Sequence, residues 1–239
     1  MKQLLVALAV CVALGGSMLA SAQDGKPASG ERPAGQKVQE TKPAADPNQG
    51  LIDFQIACYP LKKCVISGEE LGKNAINHVV DGRLVRVCCK DCVAAVEKDK
   101  SAAFKKIDAA VIEQQLARYP LEKCPISGEK LGEKAVNYVH GTRLIRACCN
   151  DCVAEIKKNA EPTLKKLGDA YIAAQKASYP LETCVVTGET IGKDPNMQPV
   201  DFLYGTRYFR LCCAGCKKAV TKDSDGMWAK VEAARAAKK

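Results

Sequence analysis

A phrase that returns at a fixed interval constrains this chain more than any other feature. "CYPLKKCVISGEELG" at 58–72 recurs as "RYPLEKCPISGEKLG" at 118–132 and as "SYPLETCVVTGETIG" at 178–192, a period of 60 residues. Such a period means tandem supersecondary units rather than one large domain. A second phrase travels with the first: "RLVRVCCKDC" from Arg83, "RLIRACCNDC" from Arg143 and "RYFRLCCAGC" from Arg207. The lead-in recurs too, since Leu51, Val111 and Tyr171 are followed by Ile52, Ile112 and Ile172. The third copy carries four extra residues in "KDPNMQPVDF", where Pro195 and Pro199 mark a loop.

Each copy predicts the same succession of elements. A Pro-to-Gly turn region holds the first cysteine, Cys64, Cys124 or Cys184. An alternating stretch follows, then a two-residue turn (Asp81-Gly82, Gly141-Thr142, Gly205-Thr206) of the primed hairpin type, then a second strand ending in a cysteine pair. Asp91 and Asp151 stand at an expected helix N-cap, just ahead of Cys92 and Cys152. A second helix carries Phe104, Ile107 and Val111, matched by Leu164, Leu167 and Tyr171 and by Trp228 and Val231, an apolar stripe that reads as core. The fold class expected is therefore α+β, with three tandem modules joined by helical connectors, over residues 51–110, 111–170 and 171–239.

Of the fourteen cysteines, twelve fall into three sets of four: Cys64, Cys88, Cys89 and Cys92; Cys124, Cys148, Cys149 and Cys152; Cys184, Cys212, Cys213 and Cys216. A module of this size is marginal on its own core and calls for a staple. Sulfurs arriving from a turn, a strand end and a first helical turn suit one tetrahedral thiolate site, with bonds of about 2.3 Å to zinc. Zinc is the default occupant, and copper(I) or another soft ion suits the same ligands. Two alternatives stay open. Four cysteines also permit disulfides, Cys64 to Cys88 or Cys89 with the remaining member of the pair to Cys92, in a stapled scaffold that presents surfaces to a protein partner. The C-x-x-C from Cys89 to Cys92 suggests thiol–disulfide redox chemistry, although no parallel-strand pattern precedes it.

These residues resemble a known group. "CPISGEKLG" followed by "GTRLIRACCNDCVAEI" is similar to the TRASH and YHS family of small metal-binding modules, in which a turn cysteine is followed by C-x3-C and a helix. Cys88 to Cys92, Cys148 to Cys152 and Cys212 to Cys216 supply the C-x3-C. The resemblance covers most of 58–108 and its two later equivalents, and implies a treble-clef-like zinc-finger fold and a role in binding, sensing or trafficking of heavy metals. Where family members often carry an inner turn cysteine, this chain has Ser67, Ser127 and Thr187. A hydroxyl is a poor ligand for a soft ion, so the extra cysteine of each pair (Cys89, Cys149, Cys213) is expected to supply the fourth ligand.

The remaining sequence sets the context. Lys2, the apolar run "LLVALAVCVALGG" and "ASA" ending at Ala22 read as a signal peptide over 1–22, so a periplasmic or secreted protein is expected, with Cys11 lost and no membrane insertion afterwards. Residues 23–50 carry no aromatic and read as a disordered linker. The formal charge is +9, or +8 without Lys2, and this excess lies on the modules, but lysines alternate with acids and no aromatic platform accompanies them, which argues against nucleic acid. Arg86, Arg146 and Arg210, two residues before each pair, share a strand face with the first of its cysteines and are expected either to offset thiolate charge or to form a surface pair with a Glu such as Glu69. His78 and His140 do not recur, which argues against a shared ligand role. Glu69, Glu129 and Glu189 recur and are expected to bond turn amides. With no nucleophile and base beside them, metal ions are the expected partners and no enzymatic role is expected. Cys58 is left over, without a counterpart in the other copies.

Overall fold

The structure, a computed structural model, describes residues 46–238. The expected signal peptide and most of the expected linker lie outside these residues. Helix α1 (Gln49–Ile56) opens the fold and takes in the last two residues assigned to the linker. The first module continues with β1 (Ile76–Val80), β2 (Arg83–Val87), α2 (Lys90–Lys98) and α3 (Lys100–Leu116). The second runs through β3 (Val136–His140), β4 (Arg143–Ala147), α4 (Asn150–Lys158) and α5 (Glu161–Lys176). The third contains β5 (Val200–Tyr204), β6 (Arg207–Leu211), a 3-10 turn (Ala214–Cys216), α6 (Lys217–Lys222) and α7 (Ser224–Ala237). The architecture is α+β, with seven helices and three two-stranded antiparallel sheets among the described residues.

The hairpins follow from their turns. Asp81 and Gly82 both hold positive φ, 49° and 70°, as a type I′ turn demands. Gly141 (φ 60°) and Gly205 (φ 64°) supply the single positive φ of the second and third turns. The resulting registers pair Ile76 with Val87, Val136 with Ala147 and Val200 with Leu211, so each second strand ends immediately before its cysteine pair. Those second strands are covered on both faces. Leu84 and Val85, pointing opposite ways, are both buried, as are Leu144 with Ile145 and Tyr208 with Phe209. Val139 and Leu144 of the second hairpin complete the first module's core, and Leu203 of the third packs on the second core. Neighbouring modules therefore share cores through α3 and α5 instead of standing as separate beads.

A glutamine ties each helix to the hairpin after it. Gln55 of α1 donates from Nε2 to the Gly82 carbonyl at 2.8 Å and accepts from Leu84 N–H at 2.8 Å. Gln115 of α3 repeats this with Thr142 and Leu144, both at 2.9 Å, and Gln175 of α5 with Thr206 (2.9 Å) and Tyr208 (3.2 Å). Each amide satisfies one backbone donor and one backbone acceptor that a two-stranded sheet leaves open. The second and third turns also converge on the end of α1. The Thr142 hydroxyl donates to the Gln55 carbonyl at 2.7 Å, and a side chain at Gly205 would collide with the Ala57 carbonyl. Cys58 is buried at this meeting point, and burial raises its thiol pKa although Arg143 and Arg207 pull the other way.

One local expectation is corrected. Asp91 and Asp151 are not N-caps; Cys89 and Cys149 hold that place in extended backbone, without a side-chain capping bond. The strand runs straight into the helix there, so each Asp falls within the first turn, where its charge still favours the positive helix end. Aspartate does cap α3 and α7, with Asp99 accepting from Ala102 N–H and Asp223 from Gly226 N–H, each at 3.0 Å. In the third copy Ala214 and Gly215 replace the Lys-Asp and Asn-Asp pairs, and the helix starts as a 3-10 turn, in keeping with the weak helix propensity of glycine.

Replacing Gln115 with Ala would strand the Leu144 N–H and the Thr142 carbonyl in a buried setting. It should cost about 2–4 kcal/mol in urea denaturation. A loss below about 0.5 kcal/mol, the size of an inconsequential surface change, would contradict the clamp.

Candidate metal centre

The first sulfur of each site is positioned by a tight loop. Cys64 N–H donates to the Glu69 carbonyl at 2.7 Å, Gly68 N–H returns to the Cys64 carbonyl at 2.9 Å, and Gly68 holds φ 78°. Only a residue without Cβ adopts that backbone without strain, which explains the recurring Gly of "SGE" and "TGE". Lys106 of α3 donates to the Val65 carbonyl at 3.0 Å, pinning the loop to the module's own helix, and Lys166 repeats the contact with Pro125 at 3.2 Å. The second sulfur follows the last residue of β2, and the third lies in the first turn of α2.

Folding brings these together as Cys64, Cys88 and Cys92; Cys124, Cys148 and Cys152; and Cys184, Cys212 and Cys216. Within each group all sulfurs lie within 4.8 Å of one another, and such a group can hold a metal ion. The closest spacings are 3.8 Å for Cys88–Cys92, 3.6 Å for Cys148–Cys152 and 3.7 Å for Cys212–Cys216. Two thiolates on one tetrahedral ion at about 2.3 Å are about 3.8 Å apart, so the spacing fits shared coordination. All thirteen described cysteines are unpaired.

The fourth cysteine of each set stands beside its triad, outside the mutually close group. Cys89 and Cys149 are exposed and Cys213 is half-buried. The Cys149 sulfur is 3.8 Å from that of Cys148, and the Cys213 sulfur is 4.0 Å from that of Cys216. The residues at the inner turn position also reach the site. Ser67 Oγ lies 3.3 Å from Cys88 Sγ, Ser127 Oγ 3.3 Å from Cys148 Sγ, and Thr187 Oγ1 3.6 Å from Cys212 Sγ. Sequence reasoning treated these hydroxyls only as missing ligands; their fixed place three residues after the loop cysteine is the signal that marks them.

The site divides its thiols into unlike classes. Burial works against ionising Cys64, yet the Ser67 hydroxyl and the amides of Ser67, Cys88 and Ile66 outweigh it and bring the thiol down to about 6. Cys124 falls to about 6 and Cys184 to about 7, each against its burial and through the same kinds of bond. Burial and then the neighbouring sulfurs push Cys92 and Cys152 up to about 12, and raise Cys216 likewise. Each site thus presents one ready thiolate in the loop and a proton-bearing thiol on the helix.

Other expected participants take different partners. Arg86 Nε donates to Asn77 Oδ1 across the hairpin at 3.0 Å, and Arg146 Nε to Asn137 Oδ1 at 3.2 Å. Their backbone N–H groups meet the Tyr59 and Tyr119 hydroxyls at 2.9 and 3.0 Å. Arg210 is exposed opposite Asp201. The hydrogen bonds of Arg86 and Arg146 therefore brace the strands and do not go to sulfur. His78 pairs with Glu97 at 2.5 Å, and neither histidine belongs to a sulfur group. Glu69 does not bond turn amides through its carboxylate; that group lies next to Cys88 and opposes ionisation of its thiol, while the Glu69 N–H donates to Ser67 Oγ at 3.3 Å.

The thiol classes carry a pH signature. Near neutral pH Cys64 is ionised and Cys88 and Cys92 are not, so capture of a divalent ion by the triad should release about two protons per site. Below pH ~6 the loop thiolate also protonates and affinity should fall more steeply. Binding heats in buffers of different ionisation enthalpy read this number; no proton release would contradict the assignment. No family model, characterised protein or solved structure matches this chain, so the site is read from its own residues.

Proposed function

We propose that this is an exported metal-binding protein that holds one soft ion in each of three thiolate sites, for heavy-metal binding, trafficking or resistance. The observation that carries the reading is the recurrence of three sulfurs within 4.8 Å of one another in every module. Convergence once could be a packing accident of buried cysteines; the same convergence three times, from loop, strand end and helix, supports a site. Thiolates favour soft and borderline ions, so zinc and copper(I) are the occupants proposed, with sulfur as the donor in each case. The resemblance of the cysteine pattern to TRASH and YHS modules supports the same class and a treble-clef-like description of each module. The leader-like residues 1–22 support export to the periplasm or outside the cell.

The fit of ion to site explains two features together. Burial, and after it the neighbouring sulfurs, hold the helix thiol protonated; a bound cation offsets the cost of ionising it. Ion binding should therefore stabilise the fold by linkage.

Elemental counting on protein kept reduced and loaded with zinc or copper(I) should give three ions per chain, and Cys124→Ser should leave two. Three ions retained by Cys124→Ser, or none bound by the unaltered protein, would overturn the reading.

A further inference from the structure

The fourth cysteine of each set is the feature that a plain holding site leaves unexplained. Three sulfurs already converge, two of them nearly closed to solvent in the first module, with Cys64 3% and Cys92 7% exposed. Cys89 and Cys149 are exposed and Cys213 half-buried, at the same place in the fold each time, on the residue that opens the helix. An exposed thiol is a reactive liability that a structural role at an N-cap does not need, since Ser caps a helix better. Yet the chain places a thiol there in all three copies, exposed in the first two and half-buried in the third, 3.8 Å from an inner sulfur in the second module and 4.0 Å in the third.

We propose that Cys89, Cys149 and Cys213 are relay ligands, through which each site takes its ion from, or yields it to, a thiolate-bearing partner. The proposal rests on the three-thiolate reading and extends it. In each triad the loop and helix sulfurs are buried, with Cys88 and Cys148 half-buried and Cys212 buried between them, so a partner thiolate has restricted access to a held ion, whereas the relay sulfur faces solvent more openly and lies beside the triad. On capture, the relay sulfur forms a bond to the ion while the donor still holds it; each donor–metal bond then breaks as a bond to an inner sulfur forms. Protons displaced from the protein thiols pass to the departing donor thiolates or to solvent. No electrons move, and release is the reverse sequence. The exchange is open to any soft ion carried by thiolates, copper(I) being the ion of choice because three sulfurs complete its shell.

The test compares the full chain with the triple variant Cys89→Ser, Cys149→Ser, Cys213→Ser, and with the corresponding Ala variant in case the introduced hydroxyls bind metal. Copper(I) is offered as its glutathione complex, and the loaded proteins are separately challenged with excess dithiothreitol, with rapid desalting and elemental counting at timed intervals. The variants are expected to hold three ions per chain with affinity little changed, and to exchange about tenfold more slowly in both directions, a barrier change of about 1.4 kcal/mol. Unchanged or faster exchange would overturn the relay. So would loss of stoichiometry in the variants, which would make these sulfurs closing ligands. Failure of the unaltered protein to bind any ion is a different outcome, and would remove the three-thiolate reading itself.

Discussion

A side-chain amide that completes a backbone ladder holds this molecule together. A two-stranded hairpin leaves one edge of its second strand unpaired, and in each module that strand must deliver a cysteine to a fixed point. Gln55, Gln115 and Gln175 bond the second strand's N–H and the turn's carbonyl from the helix before it. The strand is thus bonded on both sides and buried on both faces, although its sheet has only two strands. Because α3 and α5, which supply two of these amides, also pack in the core of the module before, the clamp joins successive modules through connected cores.

The metal centres inherit their geometry from that frame. The loop sulfur is set by a glycine-dependent turn and, in the first two modules, by a lysine from α3 or α5, the second by the end of the clamped strand, and the third by the helical turn that follows the strand. The three elements belong to one module, so each site is complete within its own repeat. Their electrostatics are uneven for a physical reason. Loop amides and a hydroxyl point at the first sulfur and favour its anion, whereas the helix sulfur faces its neighbours' charge in a dry setting and keeps its proton. Such an arrangement is poised: one ligand is already charged, and the others become charged when a cation arrives to balance them.

Much of this was legible in the sequence. Alternation closed by Asp81-Gly82 marked the first hairpin, and the 60-residue period carried that reading to the other two. Loop, strand-end and helix cysteines were assigned to one site, and folding gathers three of the four. The helix start was misplaced because an Asp near a boundary looks like a cap, while the extended backbone of Cys89 and Cys149 brings the helix in earlier. The shared cores were hidden because Leu84 and Leu144 look like the outward positions of ordinary strands; only tertiary packing reveals that another element covers them. The clamp was hidden for the opposite reason. Positions 55, 115 and 175 obey the period, but glutamine carries no local signal of its own and lies ahead of the repeated phrase. Cys58 could not be placed at all from a pattern in which it has no counterpart, and its burial where the modules meet follows from closure of the three turns on α1.

X-ray absorption at the metal edge of the zinc- or copper(I)-loaded protein asks most directly whether sulfur atoms in each module share one ion. The account predicts a first shell dominated by sulfur, at about 2.3 Å for zinc, with no fewer than three sulfurs per ion. A shell made only of oxygen or nitrogen would contradict it.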